Sequence, residues 1–212
     1  MIIIGLTGNF ASGKSETANL FKRKGAKVLN ADEIARKITR KGTPLHKAIL
    51  KIFGKEFLAK NGEIDRRKLA WHVFSKPREL KRLNVLVHPG IIIEAYKVLE
   101  KTRGKKGVLV LDVPLLFEAK MEKLADFTVV VKADESTMIS RASRKGVPAA
   151  LTRKILASQW SMMKKAKLAD FVIDNNGTPE ELKERANVVY ARILEMAKRR
   201  EKEFGANLKN IK

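Results

Sequence analysis

The stretch Gly8-Asn9-Phe10-Ala11-Ser12-Gly13-Lys14-Ser15 fits the pattern G-x-x-x-x-G-K-[ST] of a phosphate-binding loop. It follows the apolar residues 2–7, which are typical of a buried strand, and a helical pattern begins at Lys14. The glycines let backbone N–H groups turn towards phosphate oxygens, and the helix adds the positive end of its dipole. We therefore expect a nucleoside triphosphate here, with Lys14 on its β- and γ-phosphates and Ser15 on Mg²⁺.

Short apolar segments with the character of buried strands recur along the chain, and helical patterns separate them. They comprise residues 2–7, 26–30, 107–111, 127–131 and 171–173. This alternation is the signature of an open, parallel α/β sheet, so the expected fold class is α/β with five parallel strands.

Residues 44–102 carry apolar side chains at helical spacing without a strong strand pattern, which predicts a helical insertion. Within it, Pro89 suits the first position of a helix, so His88-Pro89 predicts a junction between two helices. His88 then either belongs to a corner or faces a second substrate. Near the end of the chain, residues 178–181 (Thr-Pro-Glu-Glu) predict a capping box that starts the last helix, and we expect fraying beyond Arg199.

The composition of the 212 residues excludes several classes of protein. There is no cysteine, which removes disulfides and thiolate metal sites, and the three histidines lack ligand spacing. No apolar run approaches the roughly 18 residues of a membrane span. A reducing, cytoplasmic setting is therefore expected. The formal net charge of +22 favours either a polyanionic partner or a solvated, lysine-rich surface, and both interpretations stay open.

Two carboxylates follow predicted strands, at the edge of the sheet where ligands bind in such folds. Asp32 could accept a proton from an attacking hydroxyl, or it could cap the helix expected from Glu33. Asp112 could orient Mg²⁺ or its waters, or it could be a residue of the turn. Of the residues that follow, 114–118 (Pro-Leu-Leu-Phe-Glu), the apolar ones suit packing, and the role of Glu118 stays open.

A basic segment lies between the last two strands. It contains Arg141, Arg144, Lys145, Arg153, Lys154, Lys164, Lys165 and Lys167. Arginines placed over the phosphate loop could neutralise charge in a transition state, as the movable lids of phosphoryl-transfer enzymes do. A solvated basic face is the alternative.

Taken together, these motifs resemble the dephospho-coenzyme A kinase family. Residues 5–8 (G-L-T-G) with the phosphate loop match its opening, and residues 30–36 (N-A-D-E-I-A-R) resemble its D-A-D-x-I-A-R. Residues 83–89 (L-N-V-L-V-H-P), 112–118 (D-V-P-L-L-F-E) and 169–177 (A-D-F-V-I-D-N-N-G) resemble three further family motifs, in family order. The resemblance covers about residues 2–195.

The resemblance implies a three-layer P-loop NTPase fold with a coenzyme A-binding helical insertion and a helical lid. The expected division is core (1–40), insertion (41–104), core (105–138), lid (139–168), and core with the C-terminal helix (169–212). The family transfers the γ-phosphate of ATP to the 3′-hydroxyl of dephospho-coenzyme A, the last step of coenzyme A synthesis. The expected partners are these two substrates with Mg²⁺ and no membrane, and the oligomeric state stays open.

The site residues that we expect fall into four sets. The catalytic residues are expected to be Asp32, as general base, Lys14, Arg144 and Arg141. The residues expected to bind ATP are Gly8, Ala11, Ser12, Gly13, Lys14, Ser15, Glu16 and Asn175. The residues expected to bind the acceptor are Asp32, Arg36, His88, Pro114, Leu115, Glu118 and Lys165, and those expected to bind the metal are Ser15 and Asp112.

The sequence also departs from the family pattern. Residues 9–11 (Asn-Phe-Ala) stand where Gly-Ile-Gly is common, and Glu16 replaces a usual Thr. Asn30 replaces the first Asp of D-A-D, so it cannot serve as the base. Arg141 precedes Arg144 by three residues where four is common. Gln159 and Lys165 match a Q-x₅-K pattern of the lid.

Other functions remain possible at this level. The nearest is another small-molecule kinase, acting on a nucleoside monophosphate or a sugar. A nucleic-acid-binding ATPase would suit the charge, but aromatic residues make up only 6% of the chain and no base-stacking platform is visible.

Overall fold

The computed structural model describes residues 1–102 and 104–209, and its centre is a sheet of five parallel strands. The strands are β1 (Ile2–Thr7), β2 (Lys27–Asn30), β3 (Val108–Asp112), β4 (Phe127–Lys132) and β5 (Phe171–Asp174). Their order is β2-β3-β1-β4-β5, and every neighbouring pair is parallel. The expected α/β fold is confirmed, because each segment with buried-strand character forms one of these strands.

Helices fill the connections between the strands, and the last helix follows β5. They are α1 (Lys14–Arg23), α2 (Ala31–Ile38), α3 (Pro44–Phe53), α4 (Arg66–Phe74), α5 (Pro77–Thr102), α6 (Glu135–Arg144), α7 (Ala149–Ala157), α8 (Met162–Leu168) and α9 (Pro179–Lys209), with short 3-10 turns at Lys55–Phe57 and Met121–Leu124. Within the described residues, no helix combines the length and apolarity that crossing a membrane requires.

Alternate residues of the strands face two separate apolar cores, which gives the molecule three layers. On one face, Ile4 and Val129 pack with Phe21 of α1 and Ile193 of α9. On the other face, the core includes Leu109, Leu111, Leu116 and Met121, with part of α5 packed against it. The sheet is thus covered on both sides, as a parallel sheet requires.

The helices between β2 and β3 have a small core of their own. Ile49 and Phe53 of α3, Phe57 of the first 3-10 turn, and Leu69 and Val73 of α4 are buried together. The helical insertion expected from the spacing of apolar residues is therefore helical in the structure, and α5 joins it to the sheet.

The expected junction between two helices at His88-Pro89 is wrong. α5 is a single helix from Pro77 to Thr102, with Pro89 inside it. A proline inside a helix removes one hydrogen bond and costs about 3 kcal/mol, so tertiary packing must offset that loss. The packing is close at Gly90, where a Cβ atom would lie 3.0 Å from Ile38 Cδ1 of α2 and 3.2 Å from Leu45 Cδ1 of α3.

The start of α9 is as the sequence predicts, but its end is not. Thr178 Oγ1 accepts a hydrogen bond from the Glu181 N–H at 3.2 Å, and Glu181 Oε2 accepts one from the Thr178 N–H at 3.0 Å. The helix continues to Lys209, past the point at which fraying was expected. Arg200 accounts for part of this extension, because its guanidinium lies 4.4 Å from the centre of the Phe127 ring. The remainder of the expected tail, residues 210–212, lies outside the described residues.

Candidate functional site

The phosphate loop, residues 8–15, joins β1 to α1. Gly13 is the N-cap of α1 at φ 99°, and no side chain of the described residues caps this helix. The first N–H groups of α1 are therefore available to an anion. Ala11 also has a positive φ, 61°, a conformation that costs an alanine about 1 kcal/mol and that explains the glycine common there in the related family.

The loop is also closed tightly on itself, which fixes Gly8. A Cβ atom on Gly8 would lie 2.5 Å from Ser12 Oγ. Ser12 is fully buried, and its hydroxyl has no hydrogen-bond partner among the described residues. A buried hydroxyl without a partner is available to form a hydrogen bond with a ligand.

Asn175, which follows β5, holds the loop in this shape. Its Nδ2 donates to the Ser12 carbonyl at 2.7 Å, and the residue is buried. Arg141 of α6 donates from Nη2 to Asn175 Oδ1 at 3.4 Å and from Nη1 to the Ser12 carbonyl at 3.5 Å. The positive charge of Arg141 therefore lies at the phosphate loop, whereas Arg144, at the end of α6, is exposed to solvent.

Lys14, Asp112 and Asn30 form a connected polar cluster at the carboxyl ends of β2 and β3. Lys14 Nζ pairs with Asp112 Oδ1, and Asn30 Nδ2 donates to Asp112 Oδ2 at 2.7 Å. The sheet register sets this contact, because Asn30 and Asp112 are direct neighbours across β2 and β3. Both oxygens of the fully buried Asp112 are thus hydrogen-bonded.

Burial has the largest effect on the pKa of Asp112 and raises it above the ordinary value of an aspartate. The charge and hydrogen bond of Lys14 and the hydrogen bond of Asn30 act in the opposite direction, and the charge of Asp32 raises the pKa further. An asparagine at position 30 is therefore favourable, because an aspartate there would add a third carboxylate and remove a donor.

Asn30 also decides whether Asp32 caps the helix that follows β2. Its Oδ1 accepts hydrogen bonds from the N–H groups of Asp32 and Glu33, at 2.8 and 3.1 Å. Asn30 is thus the N-cap of α2, which begins at Ala31, and the interpretation of Asp32 as the cap is wrong. The carboxylate of Asp32 is exposed in the first turn, near the Lys14–Asp112 pair.

The residues after β3 form the other wall of the site. The Pro114 carbonyl accepts hydrogen bonds from Thr7 Oγ1 and from Lys165 Nζ, both at 3.0 Å. Lys165 also pairs with Glu118 Oε1 at 2.9 Å and is fully buried. Burial lowers the pKa of Lys165, and the charge of Glu118 opposes this effect. The structure therefore places Lys165 and Glu118 in a buried ion pair beneath the site.

A contact between the phosphate loop and the segment joining α7 to α8 could not be predicted from the sequence. Asn9 Nδ2 donates to the Trp160 carbonyl at 3.2 Å, and the Phe10 N–H donates to Gln159 Oε1 at 2.9 Å. The Trp160 N–H in turn donates to Glu118 Oε1 at 3.0 Å. The side chain of Asn9, which a glycine lacks, thus ties the loop to the basic segment.

A cavity of about 780 Å³ lies between the insertion and the basic segment. Its walls come from α4, from α5 and from α7, and His88 is among them. Of the other residues expected to bind the acceptor, Pro114 and Leu115 are half-buried after β3, and Arg36 is exposed on α2. Ser15 and Glu16 are exposed in the first turn of α1.

Burial lowers the pKa of His88 below its ordinary value of 6.5, and the charge of Glu118 opposes this shift. As the pH falls through about 6.5, His88 takes up a proton in the unfolded chain, whereas in the folded protein it does so only at lower pH. We therefore expect a loss of stability towards acid pH, and a smaller loss in His88→Gln. Melting temperatures between about pH 5.5 and 7.5 measure this difference, and the two proteins should show parallel curves above about pH 7.5. Equal acid slopes would contradict the assignment to His88.

The dephospho-CoA kinase family model matches residues 2–181. The chain belongs to the dephospho-CoA kinase family. Its relatives include a dephospho-CoA kinase of Oryza sativa subsp. japonica, 43% identical over 200 residues that cover 92% of this chain and 86% of the relative.

Solved structures agree with this family and fold. A Thermus thermophilus crystal structure is 32% identical and superposes with a TM-score of 0.71, over 90% of this chain and 97% of that one. A dephospho-CoA kinase from Campylobacter jejuni is 27% identical, with a TM-score of 0.62 over 90% and 96% of the two chains.

Members of a kinase family use a nucleotide, which usually binds together with Mg²⁺. The side chains present can be compared with the ligands that Mg²⁺ prefers. Asp112 and Ser15 offer a carboxylate and a hydroxyl, which are the oxygen ligands that Mg²⁺ prefers. Among the described residues, no group of three or more His, Cys, Asp and Glu side chains is arranged to hold a metal ion. Asp112 and Ser15 therefore fit an Mg²⁺ ion whose other ligands are water molecules and the phosphates of a nucleotide.

Proposed function

We propose that this protein transfers the γ-phosphoryl group of ATP to the ribose 3′-hydroxyl of dephospho-coenzyme A, giving coenzyme A and ADP. The match to the dephospho-CoA kinase model over residues 2–181 carries this proposal. The arrangement of Lys14, Asp112 and Asp32 at one edge of the sheet supports it, because phosphoryl transfer needs positive charge at the phosphates and a nearby base.

The donor side of the proposed reaction uses the phosphate loop. The backbone of residues 8–15, including Gly8, Ala11, Ser12 and Gly13, would wrap the phosphates, and Lys14 would turn its ammonium from Asp112 to them. Ser15 and Asp112 would hold Mg²⁺, which neutralises phosphate charge when it is bound. Arg141 would balance the charge that develops at the transferred group.

The acceptor side of the proposed reaction lies beside Asp32. An exposed carboxylate free of a capping role can accept the proton of an attacking hydroxyl. Lys165 and Glu118 would act from below, by fixing the wall that contains Pro114. Direct contacts of Arg36, His88, Pro114 and Leu115 with the acceptor, and of Glu16 and Asn175 with ATP, stay predictions, as does a role for Arg144.

The distribution of charge favours small polyanions as the partners of the basic surface. Residues 139–168 contain eight Lys and Arg and no Asp or Glu. Residues 41–104 contain 15 Lys and Arg against six Asp and Glu. Together these two segments carry most of the excess charge, and both contribute walls of the cavity, so their field would attract ATP and dephospho-coenzyme A. The division into core, insertion and lid, and a cytoplasmic location, stay proposals.

The test is ADP release from Mg·ATP with dephospho-coenzyme A, AMP, shikimate, gluconate or no acceptor, with the product mass determined. We expect ADP only with dephospho-coenzyme A at an appreciable rate, together with the gain of one phosphate on that acceptor. Preference for another acceptor would replace the proposed substrate. Absence of turnover in folded, ATP-binding protein would refute the proposed reaction.

A further inference from the structure

The cavity between insertion and basic segment combines apolar walls with a few positive charges. Phe74, Leu80 and Ile92 contribute apolar surface, whereas Lys81 of α5 and Lys154 of α7 contribute ammonium groups. The described residues that line the cavity include no Asp or Glu. A cavity with positive but no negative lining residues is suited to an anionic ligand with an uncharged remainder.

Lys154 connects the two walls of this cavity. Its Nζ donates to Ser75 Oγ at 2.8 Å, at the end of α4, and lies 5.7 Å from the centre of the Trp71 ring. Both contacts reach from α7 to α4, across the boundary between the basic segment and the insertion. Among the described residues, the partners of this ammonium group are thus a hydroxyl and an aromatic ring, and no ion pair with a carboxylate is found.

Lys81 of α5 supplies a second charge to the lining of the cavity. Lys81 and Lys154 are both exposed, so their ammonium groups keep their hydration and require little desolvation to meet a ligand. Two like charges that face one cavity repel each other, and an anion placed between them removes this repulsion. A lysine binds phosphate groups well as a point charge.

We propose that Lys81 and Lys154 bind the diphosphate group of the acceptor and thereby select acceptors that carry a diphosphate over plain nucleosides. This inference rests on the proposed function. The diphosphate would join α5 to α7, so that binding of the correct acceptor also holds the basic segment against the insertion. Lys81 and Lys154 are then specificity-determining residues that do not contact the transferred phosphoryl group.

The experiment compares Lys81→Met, Lys154→Met and their double variant with Lys183→Met, which removes an exposed charge from α9. At saturating Mg·ATP, steady-state kinetics are measured with dephospho-coenzyme A and with adenosine, which has the same ribose hydroxyl but no diphosphate. We expect each single change to raise the KM for dephospho-coenzyme A by about 10-fold, with kcat and the KM for ATP unchanged. The KM for adenosine, or its Ki if adenosine acts only as a competitive inhibitor, should be the same in the variants and the wild type.

Two further measurements separate charge from packing. Lys154→Arg should keep the KM within about 3-fold of the wild type, because it retains the charge. The rise of this KM with ionic strength should be weaker in the double variant than in Lys183→Met, because fewer charges remain to be screened. Melting temperatures show whether each variant is folded.

The remaining outcomes each decide the question. Equal losses for both acceptors would overturn the inference in favour of a packing role, and a raised KM for ATP would assign the lysines to the donor. Unchanged kinetics in the double variant would also overturn it. If the wild-type protein does not phosphorylate dephospho-coenzyme A, the proposed function fails; calorimetric titration of dephospho-coenzyme A into wild-type and double-variant protein then tests the lysines alone.

Discussion

Lys14→Met is expected to lower the turnover number by about 10³-fold or more, the scale on which loss of a charge at the transferred phosphoryl group acts. Lys14 begins α1 at the phosphate loop, where its ammonium would meet the β- and γ-phosphates. Methionine keeps most of the side-chain length and removes the charge. Steady-state release of ADP with dephospho-coenzyme A measures the effect, and Lys22→Met, an exposed change in the same helix, is the control.

This variant also disturbs the fold, and the disturbance must be separated from the loss of catalysis. Lys14 is the charge partner of Asp112, which is fully buried, and removal of one partner of a buried ion pair costs about 3–5 kcal/mol. We therefore expect a lowered melting temperature in Lys14→Met. The double variant Lys14→Met/Asp112→Asn removes the uncompensated charge and should recover much of that stability without recovering turnover. Turnover above a tenth of the wild-type value in Lys14→Met would contradict the role of Lys14.

The parts of the fold that the sequence predicts well are those encoded by neighbouring residues. The phosphate loop, the buried strands and the start of α9 each depend on a short pattern whose partners lie within a few residues. Thr178 and Glu181 cap the same helix from three residues apart, so the pattern alone specifies the contact. Local chemistry is therefore enough to identify the fold class and the nucleotide end of the site.

The parts that it does not predict depend on contacts between distant segments. Pro89 is a good residue to begin a helix, and only the packing of α5 against α2 and α3 shows why the helix continues through it. Nothing near Asn9 in the sequence predicts its hydrogen bond to the Trp160 carbonyl, because the two residues are far apart along the chain. Asn30 and Asp32 are both good helix caps, and only the structure shows that α2 begins at Ala31 with Asn30 as its cap.

The two arginines of α6 show the same limit within a single helix. Arg141 and Arg144 lie three residues apart, so both are on similar faces of α6, and the sequence alone gives either of them a role at the phosphates. The docking of α6 beside Asn175 brings Arg141 to the loop and leaves Arg144 exposed. The resemblance to the family favoured Arg144, because the spacing of Arg141 departs from the family pattern, whereas the structure places Arg141 at the phosphate loop.

Asp32→Asn is expected to lower kcat by about 10²-fold or more and to leave the affinity for ATP nearly unchanged. The amide has the size of the carboxylate but cannot accept the proton of the attacking hydroxyl. ATP binding should not change, because the contacts found at the phosphate loop come from Asn175, Arg141, Gln159, Trp160 and Asp112 and not from Asp32. Single-turnover rates with both substrates and calorimetric titration of ATP measure the two quantities.

Glu33→Gln is the matched control for this experiment. Glu33 is the next residue in the first turn of α2, is exposed like Asp32, and donates its N–H to the same oxygen of Asn30. Both variants remove one negative charge near the positive end of a helix, and both keep the backbone cap, so their effects on stability should be similar. A loss of kcat confined to Asp32→Asn therefore indicates proton acceptance at Asp32. Equal losses of kcat in the two variants would instead indicate an electrostatic effect of negative charge in the first turn of α2. Near-normal kcat in Asp32→Asn would remove Asp32 from the proposed mechanism.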